Sequence, residues 1–175
     1  PWMLHAQTVD LPARLREGGV VLAFRHALAP GTFDPPDFRI GDCGTQRNLS
    51  DEGRAQARRL GERIAAWGLA PAAVRTSPWC RCIDTARLAF GTVEVWDWLG
   101  SPHRREEAWR ERQRRELRAA LRAVPRGRFE AWVTHQFVLS SLVGEGTSSA
   151  EGLLLAALAD GADGPPRVLA RLAPA

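Results

Sequence analysis

Val20-Val-Leu-Ala-Phe24, followed at once by Arg25-His26, is the stretch that decides the fold. Five apolar residues after a Gly18-Gly19 turn read as a short strand of the buried type found inside a parallel sheet. Downstream, Ser50 can cap a helix with Asp51 and Glu52 in its first turn, where carboxylates favour the macrodipole. Its apolar residues Ala57, Leu60, Ile64 and Trp67 recur at helical spacing, and Gly68 with Pro71 ends it. Ala72-Ala-Val-Arg-Thr76 reads as a second strand, with Ser77-Pro78 as N-cap and N1 of another helix. Val93-Glu-Val-Trp96 reads as a third strand, and Ser101-Pro102 as the start of a long helix to about Val124. Phe129-Glu-Ala-Trp-Val-Thr134 is a fourth strand, followed by a short helix ending near Gly144. Glu151 to Leu158 and Arg167 to Leu172 read as closing strands joined by Asp160-Gly-Ala-Asp-Gly-Pro-Pro166.

Strands alternating with helices predict an α/β fold, a single-domain three-layer sandwich whose mostly parallel sheet carries helices on both faces. Residues 1–18 form an N-terminal extension, 20–143 bear the motifs, and 151–173 hold the closing strands. The 175 residues suit one domain, and no internal repeat or long linker divides them. No apolar run is long enough for a membrane-spanning helix. All 24 basic residues are Arg, and net charge is +4. Much of that excess lies in Arg104 to Arg118, where seven Arg meet Glu106, Glu107, Glu111 and Glu116, the pattern of a solvated helix face. No nucleic-acid-binding motif accompanies the charge, so no nucleic-acid partner is expected.

In such a sheet, sites form beyond the carboxyl ends of the strands. The first strand ends in Arg25-His26, the second in Thr76-Ser77 with Arg81 just beyond, and the fourth in Thr134-His135. Any one His alone would read as a hydrogen-bonded loop residue; together these positions favour a shared anion site. A phosphomonoester carries close to two negative charges and needs fixed positive donors. Arg forks supply them bidentately, and neighbouring Arg charges keep an imidazole neutral and nucleophilic. A small phosphorylated substrate is the expected partner.

Four blocks in order carry a resemblance. Ala23-Phe-Arg-His-Ala27 resembles the Arg-His-Gly signature of the histidine phosphatase (phosphoglycerate-mutase-like) superfamily, and Asn48-Leu-Ser-Asp-Glu-Gly-Arg-Ala-Gln-Ala57 its Leu-Thr-x-x-Gly-x-x-Gln-Ala helix start. Thr76-Ser-Pro-Trp-Cys-Arg-Cys-Ile-Asp-Thr-Ala86 resembles its Ser-Ser-Pro-x-x-Arg-x-x-x-Thr-Ala block, and Val133-Thr-His-Gln136 its Val-Ser-His-Gly block. The chain looks closest to small bacterial members with the segment present here as Asp42 to Ser50. The resemblance implies a phosphohydrolase in which His26 is phosphorylated, Arg25 and Arg81 clamp the phosphate and His135 completes the pocket. It implies no metal or organic cofactor. A non-catalytic phosphate-binding member of the same fold is the alternative; a mutase is less favoured in so short a chain.

Ala27 and Gln136 stand where the family commonly has Gly, and Leu99 is followed by Gly100 rather than an acid. Asp97, Glu106 and Glu107 are the nearby carboxylates, but no dedicated general acid is expected. Such a site would favour good leaving groups, as in aryl phosphates or phosphoramidates. Asp42, Gln46, Arg47 and Asn48 lie in a polar loop that lines the substrate opening or does only turn chemistry, and Trp79 is a candidate pocket wall. Cys43 can bond Cys80 or Cys82 if their loops meet, since a Cys80–Cys82 bond would close a strained ring. Three buried thiols are the alternative. A bridge, with a candidate signal-peptide remnant at Pro1 to Gln7, would place the protein in the periplasm or outside the cell; the alternative is cytoplasmic.

Overall fold

The first strand extends one residue past its apolar run, to Arg25, and every other element is arranged around it. The computed structural model describes residues 8–175; Pro1 to Gln7, read as a signal-peptide remnant, lies outside the described residues. In chain order the elements are α1 (Leu11–Glu17), β1 (Val20–Arg25), α2 (Asp51–Ala66), β2 (Ala73–Thr76), α3 (Cys80–Phe90) and β3 (Glu94–Val95). They continue with α4 (Glu107–Ala123), β4 (Phe129–Thr134), α5 (Gln136–Val143), β5 (Gly152–Ala156) and β6 (Arg167–Leu172). The six strands form one sheet in the order β3-β2-β4-β1-β5-β6. β1 and β2 run parallel to β4, and β3 parallel to β2, whereas β5 and β6 close the other edge antiparallel. The result is a single-domain α/β fold with a mixed, mostly parallel sheet.

Alternation along β1 separates two cores. Val20, Leu22 and Phe24 face one side with Ala57, Leu60 and Ile64 of α2 and Ala86 of α3. Val21 and Ala23 face the other, with Leu117 and Leu121 of α4 and Leu139 and Leu142 of α5. A continuous apolar run is what a strand buried on both faces requires. Ser50 caps α2 as its sequence predicts, its Oγ accepting from Gly53 N–H at 3.0 Å. Gly61 lets α2 approach α3, because a Cβ there would sit 2.0 Å from the Ala89 carbonyl oxygen. Within the N-terminal extension, α1 buries Leu15 in the first core. Among the described residues, no helix is long and apolar enough to cross a membrane.

Several boundaries differ from expectation. α4 starts at Glu107 rather than Ser101, because Arg104 adopts a left-handed φ of 62° that no helix accommodates. Upstream of it, Ser101 Oγ accepts from His103 N–H, satisfying that turn locally. α3 starts at Cys80, two residues later than expected, with Trp79 as its N-cap. The third strand is reduced to Glu94–Val95, both exposed.

Cys43 is bonded to Cys80, their Cα atoms 5.7 Å apart and 37 residues apart in sequence; Cys82 is a buried free thiol. Closing a loop of that length stabilises by about 4 kcal/mol in the chain-entropy model. Cys43→Ser should therefore lower unfolding stability by roughly 2–4 kcal/mol. Reductant should lower the wild type equally and leave the variant unchanged. Identical denaturant midpoints for the two proteins, each without reductant, would remove the bond from the account of stability.

Candidate active site

Parallel pairing brings the strand ends together. Arg25 lies opposite Thr134 and Thr76 opposite Val133, so His26, His135 and Ser77 emerge side by side at the carboxyl edge. The His26 and His135 rings are 5.6 Å apart and nearly perpendicular. Both are buried.

His26 Nδ1 lies 2.8 Å from the Ala27 carbonyl oxygen. A carbonyl only accepts, so Nδ1 carries the proton and the lone pair is on Nε2. Arg81 Nε donates to that Nε2 at 3.2 Å. Burial pushes the His26 imidazole down to about 3; the Ala27 hydrogen bond opposes this, and the charges of Arg81, Arg47 and Arg25 add to it. The Ala27 methyl is fully buried in the first core. His135 Nε2 lies 2.8 Å from Ser77 Oγ. That hydroxyl also accepts from Trp79 N–H at 3.2 Å. Burial, then His26 and the arginines, holds His135 well below the usual imidazole value.

Arg81 is held by a residue that sequence reasoning missed. Its Nη1 donates to Asp34 Oδ1 at 2.8 Å and its Nη2 to Asp34 Oδ2 at 3.2 Å. Asp34 also accepts from Trp79 Nε1 and from the backbone N–H of Arg47. Burial alone would raise the Asp34 carboxyl, but these donors, Arg81 foremost, hold it below the usual carboxylate range. Thr85 links Arg81 to His26, its Oγ1 accepting from Ala27 N–H at 3.0 Å and donating to the Arg81 carbonyl at 2.7 Å. Arg25 is tied to the Thr147 carbonyl through Nη1. Burial, then the charge of Arg81, pulls the Arg25 and Arg47 guanidiniums below the ordinary arginine value, yet arginine stays charged.

A cavity of about 600 Å³ opens onto this cluster and is lined by Arg25, His26, Arg47, Trp79, Arg81 and His135, with Asp34 its only carboxylate among the described residues. At its edge the structure separates the two readings of the polar loop, since Arg47 lines the cavity and its neighbours do not. Gln46 is buried beneath the loop, accepting from Cys80 N–H and donating to the Arg39 carbonyl, and does not line the cavity. Asn48 donates to the Cys43 and Gln46 carbonyls, which is turn chemistry, and Asp42 pairs with Arg39. Asp97, Glu106 and Glu107 lie outside the cavity, and Glu107 pairs with Arg114. Among the described residues, no three His, Cys, Asp or Glu side chains gather as a metal site.

Two neutral buried imidazoles make acid stability a direct readout. In the unfolded chain each takes a proton near its ordinary value of 6.5, and the folded protein refuses it until far lower. The unfolded state then binds more protons as pH falls below that value, so stability falls with it, by up to about 1.4 kcal/mol per pH unit per ring. From pH 7 to pH 5 the unfolding free energy should drop by about 2–4 kcal/mol. An unchanged denaturant midpoint would mean that the rings are not buried in the neutral form.

The fold and the site define an α/β protein whose sheet edge holds a neutral imidazole within an arginine-rich anion pocket. A family model for the histidine phosphatase superfamily (branch 1) matches residues 40–113, a span that includes Arg81 but neither His26 nor His135. The 2,3-bisphosphoglycerate-dependent phosphoglycerate mutase of Mycobacterium leprae (strain Br4923) is 41% identical over 81 residues, 46% of this chain and 32% of the mutase. The match thus spans about a third of that enzyme's length. The crystal structure of the putative phosphohistidine phosphatase SixA from Agrobacterium tumefaciens is similar with a TM-score of 0.58 at 22% identity, covering 89% of this chain and 98% of that one. The phosphoglycerate mutase of Thermus thermophilus gives a TM-score of 0.59 at 19% identity, covering 88% and 98%. At these identities the two structures speak for the fold alone. Over residues 40–113 the chain is thus similar to the histidine phosphatase superfamily, and its fold is that of the two solved structures.

Proposed function

We propose that the protein is a phosphohydrolase that removes phosphate from a small phosphoester or phosphoramidate through a phosphohistidine on His26. The observation that carries this is the His26 ring itself, with Nδ1–H fixed on the Ala27 carbonyl and the Nε2 lone pair beside Arg81. In the first step Nε2 attacks phosphorus and the bond from phosphorus to the leaving atom breaks, its electrons departing with the leaving group. The Ala27 carbonyl stabilises the charge that develops on the ring, while Arg25, Arg81 and His135 face the phosphoryl oxygens. A water then attacks phosphorus, and the P–N electrons return to Nε2.

Asp34, the carboxylate at the cavity, is ionised and engaged by Arg81, so the leaving group receives no proton from it. Aryl phosphates and phosphoramidates, which depart without strong acid assistance, suit that arrangement. The Cys43–Cys80 bond supports an oxidising compartment, periplasmic or extracellular. Rapid quench with a labelled aryl phosphate tests the proposal. An acid-labile, base-stable phosphoenzyme is expected. Phosphate binding without labelling or turnover would favour the non-catalytic member of the fold, a reading to which the engagement of Arg81 by Asp34 lends some weight.

A further inference from the structure

The cavity is larger than its floor requires. Its volume of about 600 Å³ is that of a site for a whole small organic ligand. A phosphate group would fill only the buried end beside His26 and Arg81. Towards the mouth the lining turns apolar. Phe33, Ile40 and Phe137 all line it and are 58%, 49% and 42% exposed. They are three of the six large hydrophobic residues exposed among the described ones. Such side chains scattered singly need no explanation; three converging on one opening form a surface that gains by being covered. Phe33 is also stacked on His103, ring centroids 5.0 Å apart and planes within 26°, which makes a flat platform at the lip.

Charge is the second observation. At the floor, Asp34 offsets one of the three guanidiniums Arg25, Arg47 and Arg81, which leaves a balance suited to one phosphate dianion. Arg104 and Arg105 line the mouth in addition, both exposed and neither in an ion pair among the described residues. Arg104 holds a left-handed φ of 62°, a conformation that non-glycine residues seldom adopt and that tends to gather at binding sites. We infer that the site takes an aromatic phosphomonoester bearing a second anionic group, its ring against Phe33, Ile40 and Phe137 and its second acid at Arg104 and Arg105. This substrate class rests on the phosphohydrolase reading of the floor.

Calorimetric titration of the intact protein with three phosphonates, which cannot be hydrolysed, tests the inference apart from turnover. Benzylphosphonate should bind on the order of tenfold tighter than methylphosphonate, because its ring covers the apolar lining. 4-Carboxybenzylphosphonate should gain a further factor of about three from the rim arginines. Phe33→Ala should remove most of the first gain and leave the methylphosphonate affinity unchanged. Arg104→Asn with Arg105→Gln should remove only the second; Asn at 104 tolerates the left-handed backbone. Benzyl and methyl compounds binding within about twofold of each other would overturn the aromatic assignment. A carboxylate gain that is absent, or that survives the double variant, would overturn the second-acid assignment. If the expected order appears but no aryl phosphate is hydrolysed, the substrate class stands and the hydrolase proposal falls. Hydrolysis without that order gives the reverse, and failure of all three phosphonates to bind overturns both.

Discussion

His26→Ala should lose hydrolysis of an aryl phosphate by on the order of 10⁴-fold or more, because no neighbouring group can take over the attack. His135 is the nearest other imidazole, but its Nε2 is bound to Ser77 Oγ. Cys82 is buried, and that burial pushes its thiol up to about 12, so no thiolate is available. Ser77 already bonds both Trp79 N–H and His135. The residual rate and the phosphoenzyme should vanish together, since one nitrogen accounts for both. Circular dichroism should show an intact fold, because the variant removes a side chain at a strand end and leaves both cores in place. Turnover near the wild-type rate in a folded variant would assign the nucleophile elsewhere.

Arg81→Lys should cost about 10²–10³ in turnover, the effect of losing one transition-state donor, although the charge is kept. Arg81 acts through geometry as much as charge. One planar guanidinium reaches His26 through Nε while its two Nη atoms engage Asp34 and the Arg47 carbonyl. A lysine ammonium is a single point on a flexible stem and cannot span those partners. Asp34 would keep its contacts from Trp79 and the Arg47 backbone, so the pocket should stay assembled. The loss should therefore fall on kcat more than on KM. A change in turnover smaller than about twofold would place Arg81 outside the reacting groups.

Much of this was legible because it follows from local rules. The apolar run of β1 announced a strand buried on both faces, and Ser50 with its acidic first turn announced α2. Parallel pairing then required the strand ends to meet, so Arg25, His26, Arg81 and His135 could be grouped without coordinates. Asp34 could not. It sits in an irregular loop before Pro35-Pro36, with no periodicity or spacing to mark it, and its role exists only through contacts with Arg81, Trp79 and Arg47, all distant in sequence. The start of α4 misled for a related reason. Ser-Pro is a sound helix opening, but the backbone at Arg104 overrides it three residues later. Phe33, Ile40 and Phe137 each look like an ordinary exposed apolar residue in sequence, and only the fold assembles them around one opening.

The segment between β1 and α2 is fastened to the rest of the protein at two interior points, Cys43 to Cys80 covalently and Asp34 to Arg81 electrostatically. Between and beside these fasteners it carries Phe33, Phe38, Ile40 and Arg47, whereas His26 and His135 stand just beyond the ends of β1 and β4. That segment thus carries one part of the cavity's mouth, and Arg104, Arg105 and Phe137 carry the rest. Substitutions between the fasteners, at Phe38 and Ile40, would reshape that part of the mouth and leave His26, Arg81 and His135 in place. Residues 35–42 are in that sense a panel of the mouth held at both ends, bearing none of the groups that would handle phosphate.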